Sequence, residues 1–182
     1  LMKGANRFLH DFALSGTTGL NTFLGINAGN FTMTGSTGAS GSYNTGLGHE
    51  SLTANTTGAQ NTATGYQSLN ANTTGSSNTA SGLQSLRNNT SGGYNTASGD
   101  SSLYTNTTGS NNTSSGYRSL HLSTTGSSNS SFGYNSLYSN TTASNNTAVG
   151  YQASYTNATG TPNTAVGYQA LYANVAGNNT AT

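Results

Sequence analysis

The stretch Asn61-Thr62-Ala63-Thr64-Gly65-Tyr66-Gln67-Ser68-Leu69-Asn70-Ala71-Asn72-Thr73-Thr74-Gly75-Ser76-Ser77 decides the fold, because it returns with few changes starting at Asn78 and again starting at Asn95. Self-similarity at a fixed period identifies a repeat architecture before any local propensity is weighed. Asn recurs at Asn44, Asn61, Asn78, Asn95, Asn112, Asn129, Asn146 and Asn163. Four places later Gly recurs at Gly48, Gly65, Gly82, Gly99, Gly116, Gly133, Gly150 and Gly167. Leu follows at Leu52, Leu69, Leu86, Leu103, Leu120, Leu137 and Leu171, with Ser154 as the exception, and a second Asn stands at Asn55, Asn72, Asn89, Asn106, Asn140, Asn157 and Asn174. Numbering the unit from its first Asn gives N-T-A-x-G-Y-Q-S-L-x-x-N-T-T-G-x-x.

Working outward, an earlier copy begins at Asn21, further from Asn44 than one period, with a Thr/Gly/Ser insertion between Thr32 and Ser42 taking up the excess. The chain therefore divides into residues 1–20, an apolar N-terminal cap or docking segment; residues 21–43, a first coil with an insertion loop; and residues 44–182, the regular repeat. Phe8, Leu9, Phe12 and Leu14 make the first segment the most apolar and the candidate for assembly.

A 17-residue unit is too short for a helical hairpin, and its Gly, Asn and Thr-Thr content suits short strands joined by tight turns. The expected fold is all-β, a parallel β-solenoid of 17-residue coils, each with two strands of about five residues and two turns. About nine coils at ~4.8 Å make a rod roughly 45 Å long in which backbone groups pair above and below.

Each column then has a reading. The first-position Asn is expected to act as a turn former in left-handed backbone and also to add a ladder of amides along the stack, the alternative being a turn former alone. Gly65, Gly82 and Gly99 mark a sharp bend or the close approach of another backbone, which suggests a crowded axis. Leu69, Leu86, Leu103 and their equivalents supply the principal apolar contact. Tyr66, Tyr117, Tyr134, Tyr151 and Tyr168 share one register and Tyr104, Tyr138, Tyr155 and Tyr172 another. Both sets suit stacked columns or an outer cover. So thin a core per coil predicts association of several chains around the small-residue face, as a homotrimer.

Composition narrows the function. Asn, Thr, Ser and Gly exceed half the residues, only 4% are charged, and there is one Pro and no Cys. Low hydrophobicity alone would suggest disorder, but disordered segments are charge-rich and the period is regular. A net charge of +1 offers no basic patch for nucleic acid. No apolar run approaches the ~20 residues that span a bilayer. The start lacks a signal-peptide core, and a chain opening on Leu1 reads as a processed product or a fragment.

Chemistry is equally sparse. Asp11, Glu50 and Asp100 are the only acids, at unrelated registers, so no carboxylate pair for sugar hydrolysis is expected. His10, His49 and His121 fall in unrelated registers, and only a three-fold axis would gather copies of His49 or His121; no metal site and no cofactor are expected. No base accompanies the many Ser and Thr residues, so the reading is not an enzyme. Asn55, Asn72, Asn106 and Asn140 open glycosylation sequons, as an Asn- and Thr-rich composition produces by itself.

The units Asn146-Thr147-Ala148-Val149-Gly150-Tyr151-Gln152 and Asn163-Thr164-Ala165-Val166-Gly167-Tyr168-Gln169-Ala170-Leu171 resemble the N-S/T-A-x-G repeats of trimeric autotransporter adhesin heads, whose units are shorter than the one in this chain. The wider pattern, with Phe8-Leu9-His10-Asp11-Phe12 and Asn27-Ala28-Gly29-Asn30-Phe31-Thr32-Met33-Thr34-Gly35, is similar to bacterial and phage tail-fibre-type repeat proteins. This resemblance implies a left-handed, trimeric β-roll or β-helix in an extracellular or cell- or virion-surface fibre. The expected function is a structural fibre or filament subunit that associates with itself, as a homotrimer or head to tail, the latter because the chain stops inside a new repeat at Asn179-Thr180-Ala181-Thr182. The alternative is an adhesin for surface glycans or, less favoured, an ice-binding surface built on the Thr pairs at Thr56-Thr57, Thr73-Thr74 and Thr107-Thr108. Those pairs run straight into Gly, which favours a turn over an ice-matching plane.

Overall fold

The computed structural model describes residues 2–3, 6–7, 9–11, 20–29, 41–174 and 176–182. Its strands are β1 (Met2–Lys3), β2 (Asn6–Arg7), β3 (Leu9–Asp11), β4 (Thr22–Leu24), β5 (Thr45–Leu47), β6 (Thr62–Thr64), β7 (Thr79–Ser81), β8 (Thr96–Ser98), β9 (Thr113–Ser115), β10 (Ser130–Phe132), β11 (Thr147–Val149), β12 (Asn163–Val166) and β13 (Asn179–Ala181), and the described residues contain no helix. From β4 to β13 every strand lies parallel to the next in chain order, and β3 closes the β4 edge antiparallel. The chain is thus an all-β parallel solenoid. Ten parallel strands span nine steps of ~4.8 Å, a column about 43 Å long.

Register follows the repeat without slippage: Thr62, Thr79 and Thr96 face one another across β6–β8, as do Ala63, Ala80 and Ala97. Side chains alternate along a strand, so the Asn and Ala of N-T-A-x point inward and the Thr and its i+2 neighbour outward, as the burial of β12 shows. The one-residue shortening between Asn163 and Asn179 leaves this pairing intact.

Each coil holds one strand of three or four residues, not the two strands of about five that the sequence suggested. Across from the sheet, Gln67 (φ 54°) and Leu69 (φ 49°) are both left-handed, as are Gln84 and Leu86 in the next coil. Left-handed residues at alternate positions curl the backbone and deny it an extended run. Coils are joined there by single bonds, from Leu69 N–H to Ser85 O (3.1 Å), Ala71 N–H to Arg87 O (2.9 Å) and Thr73 N–H to Thr90 O (2.9 Å). A left-handed Leu costs about 1–2 kcal/mol. Complete burial of its side chain, contributing about 1.5–3 kcal/mol, offsets that cost in coil after coil.

The first-position Asn is not the left-handed turn former either. Its predecessor is: Gln60, Ser77, Tyr94 and Asn111 have φ between 58° and 60°. That residue swings the chain into the strand and leaves the Asn side chain inside, where the amide ladder forms. Asn61 donates both its backbone N–H (3.0 Å) and Nδ2 (3.1 Å) to Asn44 Oδ1, and Nδ2 also donates to Gly75 O (2.9 Å). Asn78, Asn95, Asn112 and Asn129 repeat the set. Asn146 and Asn163 continue it through their backbone N–H groups.

Between the two walls lies a narrow core. Leu52, Leu69, Leu86, Leu103, Leu120 and Leu137 stack in one column against Ala63, Ala80, Ala97, Ala148 and Ala165 in the other, and all are fully buried. Phe23 fills the equivalent space in the first coil. The close backbone at the fifth-position Gly belongs to the next coil of the same chain, not to a second chain on a crowded axis: a Cβ on Gly82 (φ +136°) would stand 2.5 Å from Gly99 O. The small-residue face that was expected to draw three chains together is therefore covered within one.

Candidate functional surface

Because the interior is filled, anything this molecule recognises meets columns of identical side chains on its outside. Three such columns stand out. The first is the strand face, with exposed Thr at the second position of most coils; beside it stand Thr64, Ser81, Ser98 and Ser115 in the middle of the column, then Phe132, Val149 and Val166 in later coils. The second, one Gly further on, is the aromatic file Tyr117–Tyr134–Tyr151–Tyr168, with stacked rings 5.1–5.3 Å apart. Arg118 lies over Tyr117 at 5.1 Å.

The third file is Tyr104–His121–Tyr138–Tyr155–Tyr172, again stacked at 5.1–5.3 Å. His121 occupies a tyrosine register, ten places into its coil, which position counting would have revealed. Its Nδ1 lies 2.9 Å from Ser101 O. Burial holds the His121 imidazole below the usual histidine range, and Arg118 adds to this, while the bond to Ser101 O and the charge of Asp100 oppose it. Burial, followed by the neighbouring phenols of Tyr138 and Tyr172, raises the Tyr155 hydroxyl above its ordinary value. His49 likewise stacks on Tyr66, at 5.4 Å. The aromatic residues are thus both stacked and external, which unites the two readings left open by the sequence.

The columns proposed from the sequence as structural, Asn44 to Asn163, Gly65, Gly82, Gly99, Leu69, Leu86 and Leu103, all line the interior or the coil-to-coil contact. Of the proposed assembly segment, Leu9 belongs to β3, paired with β4, whereas Phe8, Phe12 and Leu14 lie outside the described residues, as does most of the insertion. The four sequon asparagines are fully buried. Asn72 Nδ2 donates to Asn55 Oδ1 (2.9 Å) and Gly75 O (2.9 Å), so these amides form a second ladder and present no acceptor for a glycan in the folded chain.

Two deviations from the consensus interrupt these columns. Ser123 takes the place of the second Asn, and both its hydroxyl and Asn106 Oδ1 below it are buried without a partner. Ser154 replaces Leu, and its buried hydroxyl is also unpartnered. Where Ser114 and Ser131 replace the strand Ala, by contrast, they complete a buried network: Ser102–Ser114, Ser114–Ser119 and Ser119–Ser131 at 2.8 Å, and Ser131–Ser136 at 2.6 Å.

No group of three or more His, Cys, Asp or Glu that could hold a metal ion exists among the described residues. Glu50 accepts from Gln67 Nε2 (2.7 Å), Asp100 accepts from Ser101 Oγ (2.5 Å), and the two acids are three coils apart, about 14 Å along the axis. No helix among the described residues is long and apolar enough to cross a membrane. No family model, curated protein or solved structure matches the chain.

Proposed function

We propose that the chain is a structural subunit of an extracellular or surface fibre, a shaft whose length is set by the number of coils. The observation that carries this reading is that the bonds joining one coil to the next recur from step to step in the sheet, in the first Asn ladder and in the Leu turn, and in the second Asn ladder from Asn55 to Asn106. Such a column extends by repetition alone, and each coil contacts only its neighbours. Self-association uses the outer surface. Phe132, Val149 and Val166, beside Tyr134, Tyr151 and Tyr168, form the exposed apolar strip that a second copy, with the same ~4.8 Å period, meets coil for coil.

Glycan recognition by the tyrosines is the weaker reading. A sugar ring packs on an aromatic face, and in both files the faces of the inner rings are covered by their neighbours, which leaves only an outer face of the end rings such as Tyr168 and Tyr172. Negative-stain electron microscopy combined with mass measurement in solution tests the proposal: rods or filaments of uniform width, with a mass of three chains or an indefinite series, support it. Monodisperse single chains at all concentrations would overturn it.

A further inference from the structure

The middle of the strand face differs from the Thr-Thr turns in carrying two adjacent files of unpaired hydroxyls, where the turns leave only the second Thr of each pair, such as Thr57, Thr74 and Thr108, without a partner. In the turns, Thr56, Thr73, Thr90 and Thr107 each donate their hydroxyl to a carbonyl of the next coil at 2.9–3.0 Å. On β6 to β9, Thr62, Thr79, Thr96 and Thr113 form one file and Thr64, Ser81, Ser98 and Ser115 a second, and none of these hydroxyls bonds to another described residue. The sheet fixes both files in register, ~4.8 Å apart between strands and about 6.6 Å apart between i and i+2 along a strand. No Lys, Arg, Asp or Glu occupies either file.

An uncharged, in-register, two-dimensional array of unpaired hydroxyls and threonine methyl groups offers a solute no charge and no enclosing wall. What it fits is a repeating array of water molecules, since the spacing along a file is close to the repeat of water oxygens in a row of hexagonal ice. Rigid positions matter, because a hydroxyl already held in place loses little side-chain freedom when it binds. We infer that the β6–β9 face binds ice, through Thr62, Thr79, Thr96 and Thr113 with their partners in the second file. This is not the Thr-Thr pair surface considered from the sequence, whose first hydroxyls the adjoining coils occupy. It does not depend on the fibre reading, since a single chain carries the whole face.

The test is ice-crystal shaping and thermal hysteresis of the full chain, alongside Thr96→Lys, the double variant Thr79→Lys/Thr113→Lys, and Thr74→Lys, which places the same charge on an exposed turn. Circular dichroism confirms that each variant is folded. Faceted crystals and hysteresis for the unmodified chain and Thr74→Lys, with loss to the buffer level in the strand-face variants, are the expected result. Unshaped growth with the unmodified chain, or equal loss in Thr74→Lys, overturns the assignment.

Discussion

At Asn78 one side chain bonds in three directions: its Oδ1 accepts from the backbone and side chain of Asn95, and its Nδ2 donates to Asn61 Oδ1 and to Gly92 O. Asn78→Ala leaves several of these groups buried and unpaired, each worth about 1–3 kcal/mol. A loss of at least ~2 kcal/mol in urea unfolding is expected, against well under about 1 kcal/mol for Thr74→Ala on the surface. The converse holds at the two interruptions. Ser123→Asn supplies the amide that Asn106 Oδ1 lacks, and Ser154→Leu removes an unpartnered hydroxyl and restores the apolar column. Each is expected to raise stability by about 1–2 kcal/mol, read as a higher urea midpoint at unchanged slope. The ladder role of the first Asn was legible because identical amides one coil apart must meet. Its backbone conformation was not, because Asn tolerates the left-handed region so readily that propensity assigned it the turn actually made by Gln60 or Tyr94.

The aromatic files are the elements on which pH acts. His121, enclosed between Tyr104 and Tyr138, has a folded pKa below its ordinary 6.5. The unfolded chain therefore takes up a proton first as pH falls, and it binds more protons than the folded chain between the two values. The stability associated with neutral His121 is complete above pH 6.5 and declines below it, levelling off once the folded imidazole also protonates. Thermal unfolding between about pH 7.5 and 5 should show this slope, and His121→Tyr, which restores the file, should flatten it. The repeat indicated short stacked strands, and the one present in each coil falls on N-T-A-x. The second strand expected in each coil is absent because left-handed residues at alternate positions, such as Gln67 and Leu69, curl the backbone there, and they have no signature when neither is Gly or Asn. Only burial of the Leu beneath a neighbouring coil makes that conformation tolerable.

For the whole molecule, the unit of tolerance is one coil. Deleting residues 78–94 joins Ser77 to Asn95 and keeps every column in register, so the shortened chain is expected to fold with unchanged strand content by circular dichroism and a modestly lower melting point. Deleting residues 79–80 instead removes a strand Thr and Ala and puts the ladders out of step in that coil; a large loss of cooperativity is expected from the same measurement. Sequence periodicity made this architecture readable from coil to coil, whereas the covering of the small-residue face within one chain was not. The reason is that a buried Ala and Gly column looks the same whether the neighbouring backbone belongs to the next coil or to another molecule. The same uniformity presents a difficulty during folding. When adjacent coils are interchangeable, a coil can be skipped and looped out, and doubling such a loop adds only about 0.6 kcal/mol of closure entropy. Ser114 and Ser131, which bond the recurring serines Ser102, Ser119 and Ser136, are not interchangeable with the Ala of the neighbouring coils. A chain that slips past them strands hydroxyls in an apolar interior, so this short polar seam acts as an index mark that tells otherwise identical rungs apart.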